Sequence, residues 1–481
     1  MVSASVFQKP HALVVPFPLA GHINPMMQLA EKLVSDGFLV TFVNTEDNHS
    51  RITEANNELM KSAEKDDNLR MVCIPDGLAP EVPRPDIIKL IDSLQATLDF
   101  SLLKLIQEIN ENEAQKITCL ITDLTVYYVR GVAEHFNIPH AFFCPASIAT
   151  AAVTHAGSTL VTSGIVTPNG IPKVHKLINV LPCMPPLHST QLSWMFGGEA
   201  DIAQNFKTTL AIEQQLKTDI ILFNSFYDLE APIINAYPGR QIQVCPIGPL
   251  IPSPILDGNS DIRYGTRQAA LLAEKVECLD WLDKQAVKSV VYVSFGSLAI
   301  LNMNQLEEVA LGLEATGEPF LWVVRPTLMD GVTAVFPPGF IERVGGRGCL
   351  VSWAPQLSVL SHPSIACFIT HCGWNSTLES ISTGVPMLCW PHFIDQFLNC
   401  SYVVNEWKVG LQLMANKQGI IERKEITNAV DKLVRGEEGR EMKKRVAMLK
   451  ESARASGEKG GSSSIKYNQF LDAMKRNQSV K

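Results

Sequence analysis

Hydrophobic residues in this chain gather into short unbroken runs, separated by longer stretches where apolar positions recur at helical spacing. The runs HALVVPF (11–17), FLVTFVN (38–44), MVCI (71–74), ITCLI (117–121) and HAFFC (140–144) are followed by DIILFNSF (219–226) and QVCPIGPL (243–250). A second series, SVVYVSF (289–295), FLWVVR (320–325), IACFIT (365–370) and VPMLCW (385–390), repeats the pattern. Runs without polar alternation suit strands buried on both faces, and helices between them build parallel sheets. The predicted fold class is α/β, with two Rossmann-like, doubly wound domains facing across a cleft.

At 481 residues the chain exceeds one ordinary core, and two domains of roughly 200–250 residues are expected. Pro252, Pro254, Gly258, Asn259 and Gly265 disfavour a continuing helix or strand, so residues 252–268 read as a linker. It separates an N-terminal domain, 1–251, from a C-terminal domain, 269–462, and a glycine-serine break at 460–464 precedes a last helix, about 463–481. Residues 422–432 read as a surface helix. Composition adds a class: 46% hydrophobic and 19% charged residues describe a globular chain. A net charge of -8 without long runs argues against nucleic acid, which binds clustered Lys and Arg. No stretch reaches the roughly 18 apolar residues of a membrane span, and the N-terminus has no signal-peptide run, so a cytoplasmic protein without membrane insertion is expected. Of eleven cysteines none forms a CxxC pair; Cys73, Cys119, Cys144, Cys245, Cys349, Cys367 and Cys389 sit in or beside apolar runs and read as small buried hydrophobes.

Candidate chemistry lies where strands end. Between IACFIT and VPMLCW, the turn His371-Cys372-Gly373-Trp374-Asn375 precedes a helix start at Ser376. A helix N-terminus beside a buried strand end holds phosphate well, because its N–H groups are free and its dipole end is positive. Gly296-Ser297, after SVVYVSF, lets a ligand approach the backbone and is a weak phosphate signal or simply a turn. Ser376 to Glu379 also spells a capping box, in which Glu379 would bond the backbone. In the first half, Asn24 suits an N-cap and Pro25 a first helical position, predicting a helix from there to Gly37 with His22 in the preceding turn. Asp123 ends a strand on the ligand-binding side of a parallel sheet, and equally suits an N-cap.

Residues 353–396, WAPQLSVLSHPSIACFITHCGWNSTLESISTGVPMLCWPHFIDQ, closely resemble the signature box of plant family 1 glycosyltransferases, which move sugar from a UDP-sugar to a small acceptor. The Pro-x-x-Gly-His-x-x-Pro pattern at 18–25 resembles that family's N-terminal motif, and NSF at 224–226 and GPL at 248–250 resemble two more signatures. The resemblance implies the GT-B fold, with a last helix that crosses back to the first domain. It implies His22 as catalytic base and Asp123 as its partner. It places Trp353 on uracil, Ala354 and Gln356 at the base edge, and Glu379 on the ribose hydroxyls. Gly296, Ser297, His371, Gly373, Asn375 and Ser376 then surround the diphosphate, while Trp374, Asp395, Gln396 and Ser147 meet the sugar. Phe17, Leu19, Trp194 and Phe196 would line an acceptor pocket suited to phenolics, flavonoids or terpenoids.

The implied reaction is an inverting transfer giving a β-glycoside. Gln396 at the end of the box resembles glucose-using members, which makes UDP-glucose the expected donor, as a co-substrate and not a cofactor. No metal is expected, since no carboxylate pair or His/Cys set stands out, and a monomer is expected. Two other classes stay in view. A catalytically silent relative would bind small molecules without turning them over, and a nucleotide-dependent oxidoreductase is disfavoured because the first half lacks Gly-x-Gly-x-x-Gly.

Overall fold

The computed structural model describes residues 9–55, 68–79, 87–112, 115–215, 220–237, 243–257, 277–299, 301–325 and 335–475. Pro80, Pro83, Pro85, Gly258, Asn259 and Gly265 lie outside them. The first sheet contains β1 (His11–Val15), β2 (Leu39–Thr45), β3 (Leu69–Ile74), β4 (Cys119–Asp123) and β5 (His140–Cys144). A small antiparallel pair, β6 (Leu177–Ile178) and β7 (Leu187–His188), follows outside the sheet, which β8 (Ile220–Phe223) and β9 (Gln243–Pro246) complete. All its pairings are parallel, in the order β3-β2-β1-β4-β5-β8-β9.

Both faces of β1 are covered, as its unbroken apolar sequence predicts. Ala12 and Val14 pack with the Ala20–Ser35 helix, while Leu13 and Val15 pack with the Ile87–Asn112 helix. That second helix offers Leu90, Leu94, Leu98, Leu102, Ile106 and Ile109, a stripe at spacings of three and four that belongs to a helix buried along one side.

The second sheet is built from β10 (Val290–Ser294), β11 (Phe320–Val323), β12 (Gly348–Val351), β13 (Ile365–Thr370), β14 (Met387–Cys389) and β15 (Gly410–Gln412). Its order, β12-β11-β10-β13-β14-β15, is again wholly parallel. In each sheet the strand order reverses once, between β1 and β4 and between β10 and β13. Helices leave on opposite faces at such a point and open a crevice at the strands' carboxyl ends.

The last helix, Ser462–Lys475, packs against the first sheet. Tyr467, Phe470, Leu471 and Met474 join the core around Phe38 and Ile247, and the Lys32 ammonium lies 4.4 Å from the centre of the Tyr467 ring. Burying such side chains stabilises by roughly 1.5–3 kcal/mol each. The helix at Arg423–Val434 keeps a polar outer face but buries Ile426, Val430 and Leu433 in the second core. Pro252 opens a helical turn, Ser253–Leu256, whose Ile255 and Leu256 pack on Leu357; the start of the expected linker is thus ordered by apolar contact. Among the described residues no helix is long and apolar enough to cross a membrane.

One expected boundary is corrected. The first helix starts at Ala20, with Leu19 as N-cap, so Pro25 is its sixth residue and His22 its third. Proline costs no hydrogen bond in the first turn of a helix, whose N–H groups have no intrahelical acceptor, but Pro25 lies just beyond that turn. What Pro25 leaves over is the carbonyl of Gly21, four residues earlier, which a normal residue 25 would have bonded. Asn375 fills that place: its Nδ2 donates to the Gly21 oxygen at 2.7 Å.

Candidate active site

His22 and Asp123 stand at the reversal point of the first sheet, one after β1 and one ending β4. The fold closes the 101-residue gap between them: His22 Nδ1 and Asp123 Oδ2 are 2.8 Å apart. Asp123 is fully buried, whereas the His22 side chain is 25% exposed and lines the cleft. Asp123 uses its other oxygen, Oδ1, to accept from the backbone N–H of Thr125 at 2.8 Å. The cap reading and the histidine-partner reading are therefore both satisfied, by different oxygens of one carboxylate. With Nδ1–H donated to Asp123, the remaining lone pair sits on Nε2. Phe17 packs edge-on against the imidazole at 5.2 Å, fixing its plane.

Across the cleft, the reversal point of the second sheet carries the two glycine turns. Gly296, at φ +70°, ends β10, and the Arg325 guanidinium donates to its carbonyl at 3.2 Å. After β13 comes His371 to Asn375, with Cys372 at φ +64° and the helix Trp374–Thr383 capped by Gly373. His371 is wedged between the two turns: a Cβ on Gly296 would lie 2.6 Å from its ring, and one on Gly373 2.5 Å from its Nε2. Burial, reinforced by His392 and Arg325, pushes the His371 pKa down to about 3. The ring is therefore neutral at ordinary pH and offers a hydrogen bond instead of a charge.

The helix begins at Trp374, so Ser376 is not its N-cap and the capping-box reading of Glu379 fails. Gln356 instead donates through Nε2 to Glu379 Oε2 at 2.7 Å and to Ser376 Oγ at 2.8 Å, joining three box residues on one wall. Trp353 belongs to none of the apolar core clusters and lines the cleft beside Ala354. Gln396 turns its Oε1 inward to accept from the His392 and Phe393 N–H groups. Asp395 lies on the cleft wall, where Asn399 Nδ2 donates to its Oδ2 at 2.8 Å; burial pushes its carboxyl up to about 6.

The cleft encloses about 440 Å³, within the ~300–1,000 Å³ typical of small-molecule sites. It brings together every candidate residue except Asp123, which backs His22, and Ser147. Ser147 is corrected: it is 2% exposed, caps the Ile148–His155 helix by accepting from Thr150 N, and is absent from the cleft lining, which Thr150 joins. The N–H groups of Ile148 and Ala149 meet the buried Glu230 carboxylate at 3.2 and 3.0 Å, so helix-start chemistry explains the serine. Trp194 is 1% exposed, and its indole donates to Gly170 O; it braces the pocket wall more than it opens to it.

Three contributors escape sequence reasoning. Asn224 accepts the Trp374 indole N–H on its carbonyl at 2.8 Å and receives Leu250 N–H on Oδ1, tying the signatures NSF and GPL to the box. Gly21 hooks Asn375, and Asn399 holds Asp395. The NSF signature pointed to Asn224, but nothing local marks Asn399. Among the described residues, no lysine or arginine lines the cleft, and Glu379 and Asp395 are its only carboxylates. What these residues offer an anionic ligand is N–H and O–H groups.

A family model described as UDP-glucoronosyl and UDP-glucosyl transferase matches residues 252–454. UDP-glycosyltransferase 85A1 of Arabidopsis thaliana is 35% identical, over 96% of this chain and 95% of its own length. A 7-deoxyloganetin glucosyltransferase of Gardenia jasminoides is 34% identical over 96% and 97%. Among solved structures, UGT2 of Phytolacca americana, complexed with UDP-2fluoro-glucose and pterostilbene, superposes with a TM-score of 0.78 at 28% identity. That match covers 97% of this chain and 99% of the other.

Proposed function

This chain belongs to the plant family 1 UDP-glycosyltransferases and transfers a glycosyl group from a UDP-sugar to a small molecule; from that premise we propose that the sugar is glucose and that His22 is the base. The observation that carries the reading is the His22–Asp123 pair, 2.8 Å apart, opening onto the same cleft as the box turn. Nε2 takes the proton of the acceptor hydroxyl as that oxygen attacks the anomeric carbon. The bond to UDP breaks on the opposite side, so an α-linked donor gives a β-glycoside. Asp123 keeps the proton on Nδ1 and stabilises the imidazolium that forms.

UDP carries its leaving charge to the second sheet's crevice. There the free N–H groups at the start of the Trp374–Thr383 helix, Ser297 and the neutral His371 act as donors. Trp353 gives uracil a flat face, and Glu379 and Gln356, already joined, suit ribose and base edge. Asp395 and Gln396 meet the sugar hydroxyls. The acceptor wall, with Phe17, Leu19, Ile91 and Phe196 among its residues and no lysine or arginine among the described ones, favours neutral apolar alcohols and phenols over carboxylates.

Two measurements test this. UDP release from UDP-glucose should occur with neutral phenolic, flavonoid or terpenoid acceptors, each product gaining one hexose mass with a β-anomeric NMR signal. Silence across the panel would overturn the catalytic reading, and an α product the inverting one. The second is pH dependence. A carboxylate accepting from sugar hydroxyls must be ionised, and burial has raised the Asp395 pKa to about 6, so affinity is present above that pH and lost as pH falls through it. The donor phosphates are diesters and do not titrate there. UDP-glucose Kd should climb below about pH 6, and Asp395→Asn should flatten that climb while weakening binding by roughly tenfold, the loss of one charge-assisted hydrogen bond.

A further inference from the structure

Behind the box turn, outside the cleft, three thiols converge from separate segments. Cys372 follows His371 in the turn, Cys389 ends β14, and Cys400 lies in the Gln396–Ser401 helix. Their Sγ atoms all lie within 4.8 Å of one another, and the residues are 0%, 0% and 2% exposed. The neighbours are apolar: Phe226, Leu378, Ile381, Met387, Val403 and Val409. Beyond the cluster, Cys372 Sγ has the Thr370 carbonyl at 3.7 Å. Filling an apolar core does not require sulfur to meet sulfur.

We propose that the three cysteines form a binding site for one soft, thiophilic cation of the zinc and cadmium class, and that its occupation suppresses glycosyl transfer. Metal–thiolate bonds of ~2.3 Å place three sulfurs about 3.8–4.0 Å apart, so the cluster has to tighten by less than about 1 Å. Sulfur ligands in a dry shell select soft cations and offer nothing to Mg²⁺ or Ca²⁺, which demand oxygen. On binding, each Sγ–H bond is replaced by an Sγ–metal bond and the displaced protons leave to solvent.

The link to the cleft is short. Cys372 lies between His371 and Gly373, and its carbonyl accepts from Asn399 Nδ2 at 2.9 Å. The same nitrogen donates to Asp395 at 2.8 Å. Drawing Cys372 toward Cys389 and Cys400 therefore moves the turn under His371 and strains the hold on Asp395. Metal binding stands on the sulfur geometry alone, whereas its effect on transfer rests on reading His371, Gly373 and Asp395 as donor residues.

The test uses reduced, metal-free, full-length protein carrying Cys73→Ser, which removes the exposed thiol. Cadmium is titrated to slow equilibrium, and bound equivalents are read by ultraviolet thiolate-to-cadmium absorption and native mass spectrometry. Cys400→Ala and Cys389→Ala should each bind one equivalent fewer than the parent; every other thiol is common to all three. Transfer by the parent should fall as that equivalent fills, and transfer by Cys400→Ala should not. Equal stoichiometry in all three proteins overturns the site. Should neither variant fold, the anomalous signal of a cadmium-soaked parent crystal decides: a peak among the three Sγ atoms supports the site, and its absence rejects it. Cadmium bound there with transfer unaltered overturns the regulatory half. Because stoichiometry is read without substrate, a failed donor assignment would be told apart from a failed metal site.

Discussion

His22→Ala should lower the transfer rate by about 10²–10⁴-fold, the range supplied by a positioned general base, while UDP-glucose binds as before. The structure separates the two quantities. The imidazole stands on the first sheet, bonded to Asp123 and packed on Phe17, and the groups assigned to UDP stand on the second. Folding should also survive, because the ring is partly exposed and water can replace it beside Asp123. A companion variant sharpens the test. Asp123→Asn keeps an oxygen for Thr125 N–H, but an amide N–H facing Nδ1 forces the imidazole proton onto Nε2, where the lone pair is needed. Its rate should fall comparably without loss of donor affinity. Both are checked by turnover kinetics beside calorimetric titration with UDP-glucose. Equal losses in rate and donor affinity would show that His22 holds the donor, and a rate within a few-fold of the parent would remove it as base.

How far the sequence could be read depends on distance along the chain. The continuous apolar runs announced strands buried on both faces, and ten of the thirteen strands of the two large sheets lie in or beside such runs of five or more residues. The weak ones were hidden by their length: β15 has three residues, and the β6–β7 pair has two in each strand. The first helix was placed five residues late because Asn24-Pro25 makes a sound local start. A cross-cleft bond from Asn375 to Gly21 satisfies the carbonyl that Pro25 leaves unpaired, and no local pattern can show it. Asp123 carried a local reading as N-cap and, from the resemblance, one as partner of His22, and one carboxylate meets both with its two oxygens. Ser147 went the other way: Glu230 and Thr150 make it part of a helix start, a role visible only once residues 82 positions apart meet. The thiol cluster unites Cys372, Cys389 and Cys400 through spacings of 17 and 11 residues, which match no metal-binding motif.

The glycines around His371 carry the second large effect. Gly373 has φ -58°, which any residue adopts, so Gly373→Ala strains no backbone and its Cβ collides with the imidazole, 2.5 Å from Nε2. Gly296 has φ +70°, and Gly296→Ala adds to the same collision, at 2.6 Å, about 1–2 kcal/mol for a left-handed alanine. Because the His371 ring borders the cleft, it should yield by swinging into the space the diphosphate needs. Gly373→Ala should therefore melt close to the parent yet bind UDP-glucose roughly 10–100-fold more weakly, the cost of overpacking being about 1–3 kcal/mol. Gly296→Ala should lose comparable affinity and also melt lower. The comparison that isolates the cause is a double-mutant cycle with His371→Ala. With the ring gone, Gly373→Ala meets nothing it must displace and should cost little further affinity. If the two losses simply add, the glycine acts on the phosphate directly through its own backbone, and the wedged-imidazole explanation is wrong. If they collapse into one, the two turns have glycine because His371 leaves no room for a β-carbon on either side.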